Sequence, residues 1–157
     1  MQPEALFTAG HNDLSRFAGA NPTVLLAEDQ EDTRRVLSLE LQHRGCRVIT
    51  AADGREAVEA ALVAHPDLIL MDLNLPRLDG LAATERIRAH VELDGVPIIA
   101  VTAFDTYGIR EAVLAAGCQD YLLKPFGPGA LERALRAALP GFVLEHVEAH
   151  DASEGRG

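Results

Sequence analysis

From Thr23 onward, short apolar runs rich in β-branched residues alternate with longer stretches of helical periodicity. That alternation predicts repeated βα units around a parallel sheet. The predicted strands, in order, are TVLLA (23–27), RVITA (47–51), LILMD (68–72), PIIAVT (97–102) and DYLL (120–123). In the third, large hydrophobes follow one another without a polar break after the pair His65-Pro66, as in a strand buried on both faces. Between the strands, DTRRVLSLELQHRG predicts a helix with Val36, Leu37 and Leu41 on one stripe, and GREAVEAALVAH a helix with Ala57, Val58, Ala61 and Leu62 on another. GLAATERIRAH, DTYGIREAVLAAG and GPGALERALRAAL predict three more, and Gly45 and Gly117 stand where left-handed helix ends are expected.

These pairs occupy residues 22–139 and leave an N-terminal arm, 1–21, and a C-terminal arm, 140–157, which opens on Pro140-Gly141 and ends in the DASEGRG stretch expected to be partly disordered. Leu6, Phe7, Leu14 and Phe17 in the first arm, and Phe142, Val143, Leu144 and Val147 in the second, are too many apolar residues for purely solvated tails. They point to packing on the domain or on a second subunit. At 157 residues, 48% hydrophobic and 24% charged, the chain has the size and composition of one globular domain. It lacks any apolar run near the roughly 18 residues of a membrane span. No basic leader with an apolar stretch opens it, so a cytoplasmic location is expected. A net charge of -10 speaks against direct nucleic acid binding. Cys46 and Cys118 have neither metal-ligand nor disulfide-framework spacing and read as buried free thiols; the histidines read as surface or helix-end residues.

In an open parallel sheet, ligands bind outside the carboxyl ends of the strands. Here the first strand is followed by Glu28-Asp29, the third ends in Asp72, the fourth in Thr102-Ala103, and the fifth is followed by Lys124-Pro125. Each has a plain structural reading: acids that start a helix, an ordinary β-threonine, an exposed lysine before a turn. Their joint placement on one rim favours a site. Clustered carboxylates repel one another unless a cation joins them, and an all-oxygen set suits Mg²⁺ better than zinc. A lysine beside that ion would suit a dianionic phosphoryl group.

With DLNLPRLDG around the third strand's end, AED after the first, VTA after the fourth and KPF after the fifth, residues 22–139 resemble the receiver domains of response regulators in two-component signalling. The resemblance implies an α/β, flavodoxin-like five-stranded parallel sheet of order 2-1-3-4-5, with helices on both faces. It implies that Asp72 accepts a phosphoryl group from a sensor histidine kinase or a histidine phosphotransfer protein. Asp29 and Asp72 would ligate Mg²⁺ through side chains, Asn74 through its backbone carbonyl and Glu28 through water. Lys124 would hold a phosphoryl oxygen, aimed by a cis peptide before Pro125. Thr102 and Tyr121 would form a switch pair that alters the surface of the fourth helix, fifth strand and fifth helix, and with it contacts to a downstream target protein. A homodimer through that face or the arms is a further option.

Two positions depart from the family's pattern. Glu28 stands where many members have aspartate, and Phe104, two residues past Thr102, places a bulky ring beside the expected phosphoryl position. The leading expectation is a stand-alone response regulator, since no output domain follows Leu139 in this sequence. Alternatives are a phosphorelay intermediate, a phosphatase of the haloacid dehalogenase type, and an unphosphorylated interaction scaffold. The phosphatase reading wants a second carboxylate where Asn74 stands.

Overall fold

The computed structural model describes residues 21–144. Its elements are β1 (Thr23–Ala27), α1 (Glu31–His43), β2 (Arg47–Ala51), α2 (Gly54–Ala64), β3 (Leu68–Asp72), α3 (Gly80–Arg88), a 3₁₀ turn at Val91–Leu93, β4 (Ile98–Thr102), α4 (Ile109–Ala116), β5 (Asp120–Leu123) and α5 (Pro128–Ala138). All neighbouring strands pair in parallel, in the order β2-β1-β3-β4-β5. The expected fold class and strand order are therefore the observed ones.

Alternating side chains of the strands enter two separate cores. Leu25 and Ala27, Ile69 and Met71, and Ile98 and Ala100 face α2, α3 and α4, where they meet Ala57, Ala61, Ile87 and Val113. Val24 and Leu26, Leu68 and Leu70, and Ile99 and Val101 face α1 and α5, against Leu37, Leu41, Leu131 and Leu135. Every residue of β3 and β4 is buried, which is why their sequences run apolar without alternation.

Some boundaries and faces differ from the sequence reading. Val36 is 55% exposed, because neighbouring helical residues diverge by about 100° and the core takes Leu37 and Leu41 instead. Strand β4 begins at Ile98, since Pro97 has no N–H for the ladder, although its carbonyl accepts the Ile69 N–H at 2.9 Å. Helix α4 starts four residues later than the predicted segment, because Gly108 takes a left-handed φ of 85° just before it. Gly45 and Gly117 are left-handed as expected. Both cysteines are buried and free. His43 and His65 are exposed at helix ends and His90 is half-buried; His11, His146 and His150 lie outside the described residues, as do Leu6, Phe7, Leu14, Phe17 and Val147.

Beyond α5 the chain continues into the second core. Leu144 is 6% exposed and packs with Leu131, Leu135 and Leu139, and Phe142 lies partly buried against the same cluster. A chain ending at Leu139 is expected to be about 2 kcal/mol less stable in urea than one ending at Leu144, the low end of the loss for removing a buried leucine. Equal midpoints would show that this segment adds nothing to the core.

Candidate functional site

Strand register brings the charged groups together. Ala27 pairs with Met71, so the next residues, Glu28 and Asp72, leave their strands at the same level. Asp72 in turn lies beside Val101, and the ladder continues past the strand ends: Leu73 N–H donates to the Val101 carbonyl at 2.9 Å and Lys124 N–H to the Thr102 carbonyl at 2.7 Å. Glu28, Asp72 and Lys124 share the strand parity of Val24, Leu70 and Leu122, whereas Thr102 and Tyr121 share that of Ala100 and the opposite core. The rim therefore has an ionic side and a hydroxyl-aromatic side.

On the ionic side, Lys124 Nζ donates to Glu28 Oε1 and to Asp72 Oδ2, both at 3.0 Å. The other Asp72 oxygen, Oδ1, accepts the Asn74 N–H at 2.9 Å, and Glu28 Oε2 accepts the Gln30 N–H at 3.0 Å. Ligand oxygens of Glu28, Asp29 and Asp72 all lie within 4.8 Å of one another. Glu28 is 1% exposed, and burial, reinforced by the nearby Asp72, pushes its carboxyl above the ordinary value despite the opposing bonds from Gln30 and Lys124. Burial alone would depress the Lys124 ammonium, but its bonds to Asp72 and Glu28 outweigh that and hold it above its ordinary value.

One lysine does not balance three carboxylates. At 4.8 Å and an effective dielectric near 20, two carboxylates repel by about 3 kcal/mol. A divalent cation among them would remove that repulsion, and an oxygen-only donor set fits a hard ion such as Mg²⁺. The cluster is thus suited to a metal by its chemistry as well as its spacing.

On the other side, the buried Thr102 hydroxyl accepts the Phe104 N–H at 3.0 Å. Ala103 is exposed and Phe104 is 60% exposed at the rim, followed by the loop that leads to Gly108. Tyr121 is half-buried against the α2–α3–α4 core. The Lys124-Pro125 peptide is cis, and Pro125 is exposed. Asn74 is exposed, and its backbone N–H is the donor to Asp72 Oδ1.

The sequence did not point to Arg34, whose Nη1 donates to the carbonyls of Glu28 at 2.8 Å and Asp29 at 3.4 Å and so clamps the turn that carries the acids. An arginine one turn into a helix carries no distinctive spacing, so nothing in the sequence marks it. The tight start of α3 was also hidden: a side chain on Gly80 would overlap the backbone of Asp72 and Leu73, so glycine alone lets the helix begin against the end of β3.

Fold and rim together define a flavodoxin-like α/β domain with an acidic, lysine-bearing site at the carboxyl edge of its sheet. Residues 24–136 match the family model for the response regulator receiver domain, and the chain belongs to that family. It is 44% identical to the receiver domain of sensor histidine kinase PA1611 from Pseudomonas aeruginosa, solved with a magnesium ion coordinated in the active site cleft; the alignment covers 76% of this chain and 98% of that one, with a TM-score of 0.72. The chemotaxis protein CheY4 of Vibrio cholerae superposes with a TM-score of 0.73 at 33% identity, covering 76% of this chain and all of that one (100%). Among relatives compared by sequence, a probable transcriptional regulator ycf27 of Cyanophora paradoxa is 36% identical over 116 residues, 74% of this chain and 47% of that protein. The polar-differentiation response regulator DivK of Brucella ovis is 38% identical over 103 residues, 66% of this chain and 84% of that one. The chain spans about half the length of the first of these regulators. Receiver domains are signalling phosphoacceptors of two-component systems. Among the described residues, no helix is long and apolar enough to cross a membrane.

Lys124→Met leaves two buried carboxylates without their shared cation. It is expected to lower stability by about 2 kcal/mol, less than for a fully buried pair because the ammonium is a quarter exposed, and Glu28→Gln in the same chain should restore part of the loss. An unchanged urea midpoint would show that solvent alone neutralises the pair.

Proposed function

We propose that this receiver domain is a magnesium-dependent phosphoacceptor switch in which Asp72 is the nucleophile, loaded by a sensor histidine kinase or a histidine phosphotransfer protein. The observation that carries the reading is the pair of hydrogen bonds that Lys124 donates to Glu28 and Asp72 within a cluster of three carboxylates at the sheet's carboxyl edge. Asp29 and Asp72 would hold Mg²⁺ through side chains, Asn74 through its carbonyl and Glu28 through water; the bound ion would neutralise the phosphoryl oxygens. A carboxylate oxygen of Asp72 attacks phosphorus, an O–P bond forms, and the donor's P–N bond breaks with its electron pair left on the imidazole. Lys124, already directed at Asp72, pairs with a phosphoryl oxygen of the product, so the charge it loses from one partner is regained on another.

Phosphorylation gives the Thr102 hydroxyl an anionic acceptor. Turning toward it draws on the loop that begins at Phe104, whose N–H is now bonded to that hydroxyl. Tyr121 lies on the same sheet face as Thr102 and takes up the space released. Two charge-assisted hydrogen bonds amount to a few kcal/mol, enough to reset a two-state population. The α4–β5–α5 surface then meets a downstream protein. For the donor, a 420 Å³ groove beside Lys124, lined by Val36, Leu37, Phe126 and Pro128, offers an apolar seat next to the site, and exposed Val36 lies on it.

Acetyl phosphate with Mg²⁺ is expected to add one phosphoryl mass to the native protein and none to Asp72→Asn, read by intact-mass spectrometry; equal labelling of both would remove Asp72 from the role. The exposed Phe104 ring, at the position the family pattern sets beside the phosphoryl group, would hinder attacking water, so the Asp72 acyl phosphate of the native chain is expected to outlast that of Phe104→Glu. Equal or slower loss of phosphate from the variant would contradict this.

A further inference from the structure

The loop between β3 and α3, residues 73–79, carries Asn74 and has to be held beside Asp72. Local anchors exist: the Gly80 N–H donates to the Leu73 carbonyl at 3.1 Å, Leu75 is buried in the core, and the Pro76 carbonyl accepts the Leu78 N–H at 2.7 Å. Another anchor comes from a different crossover. Arg77 Nε donates to Asp53 Oδ2 at 2.8 Å, while Asp53 Oδ1 accepts the Glu56 N–H at 2.8 Å and so caps α2. Asp53 is buried although the Arg77 side chain is largely exposed. The Glu56 N–H first, and then Arg77, hold the Asp53 carboxyl below its ordinary value.

The backbone adds an independent observation. Arg77 has a φ of 68°, in the left-handed region that glycine occupies without strain and arginine does not. Arginine at this φ costs backbone energy that glycine would not, while its side chain makes the bond to Asp53. The two turns also touch directly: the Gly54 N–H donates to the Pro76 carbonyl at 3.4 Å, and a side chain on Gly54 would overlap the Leu78 carbonyl.

We propose that Arg77 is a positioning residue of the phosphoacceptor site, its ion pair with Asp53 tying the Asn74-bearing loop to the start of α2 so that the Asn74 backbone stays against Asp72 and presents its carbonyl to the cation. This rests on the reading of Asp72 as a magnesium-dependent phosphoacceptor. An ion pair with one exposed partner adds little to global stability. Groups that orient metal ligands have a larger effect, typically tenfold or more in metal affinity.

The test compares the full chain with Arg77→Gly, Arg77→Lys, Asp53→Asn and the Arg77→Gly/Asp53→Asn double variant. Asparagine keeps the cap of α2 and glycine suits the backbone, so thermal midpoints are expected to stay near the native value. Magnesium affinity, measured by calorimetry, is expected to fall about tenfold in Arg77→Gly and in Asp53→Asn, no further in the double variant, and to recover largely in Arg77→Lys. In the metal-free protein, the Asn74 amide is expected to exchange with solvent faster in Arg77→Gly than in the native chain. Native affinity or native Asn74 exchange in Arg77→Gly overturns the proposal, as does a loss that follows the melting temperature and is not rescued by lysine. Should the native chain itself bind no magnesium and accept no phosphoryl group, the functional reading fails, and Asn74 exchange alone decides whether Arg77 positions the loop.

Discussion

Because β1 and β3 pair in parallel with Ala27 beside Met71, the residues that follow, Glu28 and Asp72, emerge side by side with their carboxylates crowded together. Asp29 adds a third acid, and the sheet is too well packed on both faces for the strands to slip apart. A one-residue shift in register would send every core side chain of a strand to the wrong layer. The apolar cores thus enforce the electrostatic conflict at the rim, and the rim answers it with Lys124 and a place for a hard cation.

On the proposed function, the same register would carry a local charge change toward a surface. Lys124 lies just past β5 and Thr102 ends β4, so an added phosphoryl group would meet a cation from one strand and a hydroxyl from its neighbour. Thr102 and Tyr121 belong to the sheet face covered by α4, and the loop before α4 is already bonded to Thr102. Among the described residues, no fully buried side-chain nitrogen or oxygen lacks a partner, and Lys124 already bonds both Glu28 and Asp72. A phosphoryl group on Asp72 would compete for the Lys124 bonds, whereas the Thr102 hydroxyl, which accepts the Phe104 N–H, could donate to it without losing that bond.

Most of the architecture was legible in the sequence because the central strands are apolar runs alternating with helical periodicity, and because the groups on the rim are immediate sequence neighbours of the strands. That Glu28, Asp72 and Lys124 meet at one edge followed once the family resemblance supplied the strand order; the register itself came from the structure. What could not be read is where long charged side chains turn to find their partners. Arg44 is buried, against expectation for an arginine, because Glu40 on its own helix and Glu132 on α5 pair with its guanidinium. Arg88 likewise gathers the carbonyls of Gly117, Leu93, Asp94 and Val96, which no local pattern announces. Val36 looked like a core residue from its type; its angle on the helix, not its chemistry, leaves it at the surface.

The crowding of acids around a cation is tested most directly by the dependence of unfolding on magnesium. With Mg²⁺ at about ten times its dissociation constant, native stability should rise by about 1.4 kcal/mol, and Asp29→Asn should abolish most of that gain while Lys124 stays in place. A urea midpoint indifferent to magnesium, or raised equally in the variant, would contradict the account.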